Sequence, residues 1–416
     1  MIPAKNTYTR KQAALLPEKQ SRLEKMFSLV FQRLHRGRLT VTFPSGNSDT
    51  WEGSHDHIHG KPFHAVWHLK SYKALQRILR SQSVGFAESY MEQEWDSPDL
   101  THLLELMACN MDALEAEVNR WSLVKVWNRI QHLLRSNTRA GSKKNIAYHY
   151  DLGNDFYAQW LDPSMTYSAG LFDDQHLNLE SAQENKYRRL AEQLQISKEH
   201  RVLEIGCGWG GFAEFAAREY GCKITCLTLS KEQLDYARNR IKQAGLDELV
   251  DIRFQDYRDV EGQFDRIVSI EMFEAVGEEN WPTYFQQVFT RLKPEGLAGL
   301  QIITIENARF EDYRNNPDFI QKYIFPGGLL PSPEKLHAEI SSAGLQLTDE
   351  FMFGESYAET LKTWHKEFLR NWDSISNLGY STKFRRMWEY YLCYCEAGFR
   401  HKTIDVGHFI AQKPKQ

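Results

Sequence analysis

The chain has 416 residues, a formal net charge of −4, 42% hydrophobic and 25% charged residues. That balance belongs to an ordinary globular protein long enough for two or more domains, and the acidic surplus argues against a general nucleic-acid binder. Aromatic residues reach 13%, which suits an apolar or cationic ligand as well as plain cores.

Residues 1–20 are polar, and MIPAKNTYTRKQ holds no apolar segment of secretory type. No run of 18 apolar residues occurs, so any membrane contact is expected to be peripheral. Residues 21–115 mix helical patterns with short strands such as 39–43, and a mainly helical N-terminal domain is expected over 1–135. Stretch 118–135 places Leu123, Trp127, Ile130 and Leu134 at helical spacing beside Arg120, Lys125, Arg129 and Arg135. A helix packed between domains explains that stripe, as does an interfacial helix on anionic headgroups; ordinary amphipathic packing is favoured. Segment 136–144, SNTRAGSKK, is polar and basic and is expected to be a linker. The six cysteines (Cys109, Cys207, Cys222, Cys226, Cys393 and Cys395) form no CxxC pair, as in a reduced cytosolic protein.

From 145 onward the pattern alternates. Strand 201–205, helix 209–220, strand 223–229, helix 231–243 and strand 250–254 are followed by strand 264–270, helix 279–292 and strand 297–305. Such alternation predicts an α/β domain over 145–416 with a mostly parallel, doubly wound sheet and the ligand at the strand C-termini. Residues 306–400 are expected to interrupt the sheet with an aromatic-dense, helical insertion, and 403–411 to return as a last strand.

The most specific local signal is RVLEIGCGWGGF, 201–212. A buried strand runs into Gly206, Gly208, Gly210 and Gly211 and then a helix, so the backbone can approach a ligand and present free N–H groups. The spacing is not G-x-G-x-x-G, and the second strand, KITCLTL, lacks the acidic residue that holds a ribose in NAD enzymes. Glu204, two residues before the first glycine, makes the pattern E-x-G-x-G-x-G-G, which favours S-adenosylmethionine.

Several segments together resemble the bacterial cyclopropane fatty acid synthases, which are S-adenosylmethionine-dependent methyltransferases. They are HYDLGNDFYAQWLDPSMTYS (149–168), NLESAQENK (178–186), RVLEIGCGWGG (201–211), QDYRD (255–259), FDRIVSIEMFEAVG (264–277) and KYIFPGGLLPS (322–332). The resemblance implies a Rossmann-like class I methyltransferase acting on the cis double bond of an unsaturated phospholipid acyl chain. The alkene takes the methyl group, a carbocation forms on the chain, and loss of a proton closes a cyclopropane ring. It also implies peripheral attachment to the inner face of the membrane and a homodimer. Two other outcomes stay open: methyl branching without ring closure, and a lipid-binding protein without catalysis.

For the cofactor, the resemblance implies Tyr167 and Ser168 near the methionine moiety and Glu204, Gly206 and Gly208 facing it. It puts Thr228, Leu229 and Gln233 beside the ribose, Asp256 and Tyr257 at the adenine, and Ile270 nearby. No metal is implied. For catalysis, it implies a bicarbonate ion held by a Cys, a Glu, a His, a Tyr and a backbone amide. Here the Glu is Glu274, the Tyr is Tyr357 and the amide falls at Ile303. The Cys position is Ala169, the His position is Gln301, a further His is Ala275, and Glu271 replaces a Gly. Glu271, three residues before Glu274, has three readings: an acid that shares a face with Glu274, so that the pKa of one of the two carboxylates rises and that group serves as a base, a charge that repels bicarbonate, or a solvated acid at a helix start.

Overall fold

The structure is a computed structural model that describes residues 21–55, 57–114, 152–175 and 178–415. The expected helix at 118–135 and the linker at 136–144 lie outside the described residues.

Strand Arg201–Ile205 is buried along its apolar run, as befits the centre of a sheet covered on both faces. The seven-stranded sheet has the order Gln346–Met352, Ile404–Gln412, Leu292–Ile305, Phe264–Ile270, Arg201–Ile205, Lys223–Thr228, Val250–Phe254. The last five of these strands pair in parallel, and Ile404–Gln412 runs antiparallel to both of its neighbours. The chain leaves Arg201–Ile205 toward one edge and returns to Phe264–Ile270 on its other side. That reversal is the switch point at which α/β sheets hold ligands beyond the strand C-termini.

Helix Gly211–Tyr220 starts two residues later than expected because Gly210, at φ +83°, is left-handed. Helix Lys231–Gln243 begins as its capping serine dictates: Ser230 Oγ accepts from the Gln233 N–H at 3.3 Å.

Two expectations need correction. Segment 306–400 is not wholly an insertion, because Gln346–Met352 is a strand of the main sheet. That strand lies at the edge and is partly exposed on both faces, so it lacked an apolar signature. The N-terminal region is not simply helical either. Helices Arg22–Phe31, Tyr72–Met91 and Leu100–Cys109 accompany a four-stranded sheet of Ser48–Glu52, Arg38–Thr42, His64–Leu69 and Trp95–Asp96. In His64–Leu69 the buried Ala65, Trp67 and Leu69 alternate with His64, Val66 and His68, the period of a half-buried strand.

Helices Gly354–Arg370 and Thr382–Arg400 carry the aromatic density. They bury Trp364, Phe368 and Trp388 against Phe156, Tyr157 and Trp160, and one hydrophobic core continues from them into the N-terminal region. Arg386 lies 3.8 Å over the Tyr90 ring and bonds to Asp96 at 2.7 Å, and Thr101 donates to Glu396 at 3.1 Å. A fully buried phenylalanine such as Phe156 or Phe368 contributes about 1.5–3 kcal/mol. The N-terminal region and the aromatic helices are therefore held as one packed unit over the sheet.

Candidate active site

At the switch point a cleft of about 980 Å³, counted out to its open mouth, lies against the strand C-termini. Its backbone wall is the glycine turn. Gly206 has φ +83°, and a Cβ there would stand 2.6 Å from Met272 Cγ, so both conformation and space demand glycine. Gly208, at φ +52°, has no heavy atom within 4 Å of the place a Cβ would take, so the loop leaves room for a ligand.

Tyr167, Ser168, Glu204, Gly206, Gly208, Thr228, Leu229, Gln233, Tyr257 and Ile270 all line this cleft. Asp256 does not. Its carboxylate is turned onto Arg258, at 2.9 and 2.7 Å, and Gln255 lines the cleft in its place. Thr228 Oγ1 donates to Gln233 Oε1 at 3.0 Å, which leaves the NH₂ of that amide for a ligand. Glu204 accepts from Cys226 Sγ at 3.4 Å. Burial pushes its pKa up to about 8, and the Cys226 bond and the charge of Arg240 pull against that rise. A buried carboxylate at a cleft wall invites a cation, so these residues fit the ammonium and hydroxyl groups of S-adenosylmethionine.

The opposite chemistry gathers at Glu271. It has φ +48°, a left-handed backbone that costs a non-glycine residue roughly 1–2 kcal/mol. Three donors hold it there. The Ala169 N–H donates to Oε1 at 2.8 Å, Gln301 Nε2 donates to the same oxygen at 2.7 Å, and Tyr357 Oη donates to Oε2 at 2.7 Å. Bonds to a charged group are worth about 1.5–3 kcal/mol each, enough to outweigh the strain. Burial raises the Glu271 pKa, while Tyr357, the Ala169 amide, Lys186 and Gln301 all favour its ionised form. Glu271 is thus no solvated helix-start acid, although part of its surface opens on the cleft.

The orientation of Gln301 follows from its neighbours. Arg189 has no acceptor, so its NH1 donates to His408 Nδ1 at 3.1 Å. His408 Nε2 then carries the proton and donates to Gln301 Oε1 at 3.0 Å. The amide NH₂ of Gln301 is left to face Glu271. Burial and the charges of Arg189 and Lys186 keep the His408 pKa well below its usual value, consistent with a neutral ring.

Glu274 stands nearby. The Ile303 N–H donates to its Oε1 at 2.6 Å, and Oε2 is buried with no partner among the described residues. Burial, and then the adjacent Glu271, push its pKa up to about 8, against the pull of the Ile303 amide. The donors expected to hold bicarbonate are therefore taken. Tyr357, Gln301 and the Ala169 amide bind Glu271, the Ile303 amide binds Glu274, and the site as built does not fit a free bicarbonate.

Lys186, Gln183 and His408 carry roles that sequence reasoning missed. Lys186 is fully buried, and its Nζ donates to Ser168 Oγ at 2.6 Å; Gln183 Nε2 donates to Ser168 O at 2.8 Å. Burial lowers the Lys186 pKa to about 7, against the pull of Glu271 and Asp162. The signal was a lysine on the same helical stripe as Ala182 and Leu190, and a histidine inside the apolar strand Ile404–Gln412. An aromatic wall adjoins this network. Tyr167 has Tyr157, Trp160 and Trp364 at ring distances of 5.4, 5.6 and 5.3 Å, and Trp364 packs edge-on to Tyr357 at 6.1 Å. Among the described residues no cluster of His, Cys, Asp and Glu is arranged to hold a metal.

Comparison with known proteins gives the family. The chain is 41% identical over 340 residues to a tuberculostearic acid methyltransferase of Mycobacterium tuberculosis, covering 80% of this chain and 79% of that protein. It is 39% identical over 354 residues to the cyclopropane-fatty-acyl-phospholipid synthase of Escherichia coli, covering 82% and 86%. The solved cyclopropane synthase MmaA2 from Mycobacterium tuberculosis superposes with a TM-score of 0.62 at 28% identity, over 65% of this chain and 98% of its own. The mycolic acid cyclopropane synthase CmaA1, solved in complex with SAH and CTAB, gives 0.61 at 29% over the same shares. Residues 137–409 match the family described as mycolic acid cyclopropane synthetase. The chain belongs to that family and is an S-adenosylmethionine-dependent methyltransferase.

Proposed function

We propose that the enzyme transfers the methyl carbon of S-adenosylmethionine to the cis double bond of an unsaturated phospholipid acyl chain and closes a cyclopropane ring. The observation that carries this reading is the meeting, at one end of the cofactor cleft, of a donor-held carboxylate, Glu271, with an aromatic wall that begins at Tyr167. Bound S-adenosylmethionine supplies an electrophilic methyl group. The chain's own residues do the rest.

Glu204 and the Gln233 amide hold the polar part of the cofactor, and the glycine turn admits it closely. Ser168 is fixed by Lys186 and Gln183. An alkene is a weak neutral nucleophile, so orientation supplies much of the rate. The ring faces of Tyr167 and its neighbours stabilise a developing cation on the acyl chain. The packed aromatic helices keep out the water that would capture that cation. A carboxylate close to the same point stabilises it electrostatically.

One relative favours a second reading. The 41% identical protein is named a tuberculostearic acid methyltransferase, which suggests methyl branching without ring closure. Both readings place the substrate at a lipid surface, so the protein works as a cytoplasmic, peripheral membrane enzyme, and dimerisation is a further expectation. No described helix is long and apolar enough to cross a membrane. Incubation with S-adenosylmethionine and unsaturated phospholipid vesicles, followed by mass spectrometry and proton NMR of the released acyl chains, separates the outcomes. High-field ring protons are expected. A methylated chain without them establishes branching, and an unchanged chain overturns the acyl-chain reading.

A further inference from the structure

We propose that the Glu271 carboxylate is the base of this enzyme, standing where a dissolved bicarbonate would otherwise bind, so that turnover needs no bicarbonate. The inference rests on the acyl-chain reading above and adds to it the group that takes the proton.

The geometry is that of an anion site filled from within. A backbone N–H, an amide NH₂ and a phenol O–H converge on one carboxylate, at 2.8, 2.7 and 2.7 Å. Each is itself fixed: Ala169 is fully buried, Gln301 is oriented by His408, and Tyr357 is packed on Phe399 at a ring distance of 4.5 Å. The remaining expected donor, the Ile303 amide, is occupied by Glu274. A second anion would meet the Glu271 charge and find its donors used. Glu271 also persists in a left-handed backbone, at φ +48°, where a glycine would sit without strain. Strain of this kind survives where the side chain is needed. Glu271 lines the cleft beside Tyr167 and Ser168, so the base stands at the edge of the space this reading gives to the methyl group.

The step balances within the chain and the substrate. After methyl transfer the acyl chain is a carbocation. A C–H bond of the new methyl group breaks, its electron pair forms the third C–C bond of the ring, and the proton goes to Glu271. The same carboxylate serves if a C–H bond of the chain breaks instead and leaves an alkene. The proton returns to solvent through the cleft once the product has left.

The test compares wild type, Glu271→Gly and Glu271→Gln in buffer freed of CO₂, with and without added bicarbonate, on unsaturated phospholipid vesicles. The expected wild-type rate is the same in both buffers. Glu271→Gly, which relaxes the backbone and empties the donor cup, should lose about 10²–10⁴-fold in CO₂-free buffer, the usual contribution of a positioned base. It should recover activity with bicarbonate or formate. Glu271→Gln fills the cup without a base and should stay inactive in both buffers. Calorimetric binding of S-adenosylmethionine and unchanged melting temperatures show that the variants are folded. Wild-type activity that disappears with CO₂ and returns with bicarbonate overturns the proposal, as does a Gln variant with wild-type turnover. A wild type that makes no product in either buffer overturns the acyl-chain reading itself, and the proposal falls with it.

Discussion

The two walls of the cleft are built on different terms. The cofactor wall is mainly backbone: a glycine turn at the end of a central strand, with Glu204 and Gln233 within 28 residues of the first glycine on either side. The reaction wall is Glu271, backed by a side-chain network of Ala169, Lys186, Gln301, Tyr357 and His408 that is brought together from more than 230 residues of chain. A backbone site is tied to local sequence and changes little. A network can trade one member for another if every polar group finds a new partner, and the resemblance implies such a trade in this chain. Where the resemblance implies glycine, histidine and cysteine, it has Glu271, Gln301 and Ala169, and the three interlock by hydrogen bonds.

If the walls are separate in function, damage to one should spare the other. The largest effect is expected from Glu271→Gln, with turnover down about 10²–10⁴-fold and S-adenosylmethionine affinity unchanged by calorimetry. Weaker binding in that variant would break the comparison. Tyr357→Phe removes one donor from an ionised carboxylate and should lower turnover about tenfold to hundredfold. Because the Tyr357 bond lowers the Glu271 pKa, its loss should move the rising limb of the pH–rate profile to higher pH. An unshifted limb would remove Glu271 from the profile.

Gly206→Ala tests the other wall. A Cβ at φ +83°, set 2.6 Å from Met272 Cγ, costs about 1–3 kcal/mol. Cofactor binding should weaken while turnover at saturating cofactor holds. Glu204→Gln is read apart from turnover, in the pH dependence of unfolding of the cofactor-free protein. Burial pushes the Glu204 pKa in the folded state from the usual 4.5 up to about 8, so the folded state keeps a proton that the unfolded state releases. Stability therefore falls as pH rises from about 4.5 to about 8, and the Gln variant should show a shallower fall. Equal slopes would mean that burial of Glu204 carries no such cost.

Much of the cofactor wall was legible because glycine spacing and strand runs report backbone geometry directly. The central strands Arg201–Ile205, Val250–Phe254 and Phe264–Ile270 lie where their apolar runs placed them. A sequence cannot show that Arg258, two residues on, holds the Asp256 carboxylate away from the cleft lining. The strand Gln346–Met352 escaped notice because an edge strand needs no apolar face; in the N-terminal region the strand at 39–43 was legible, and its partners across the sheet were not.

The sequence by itself determined the alternating sheet, the glycine turn at its centre and the family that both imply, since strand burial and left-handed turns restrict residue types locally. It also supplied two acids, Glu271 and Glu274, three residues apart. Only the tertiary structure decided what they do. Among the described residues it delivers three donors to Glu271 from distant segments and leaves Glu274 with the Ile303 amide and a buried oxygen without a partner, and so separates two chemically identical side chains by what surrounds them. The physical reason is that a buried carboxylate takes its charge state from the donors around it, and folding alone brings those donors within reach.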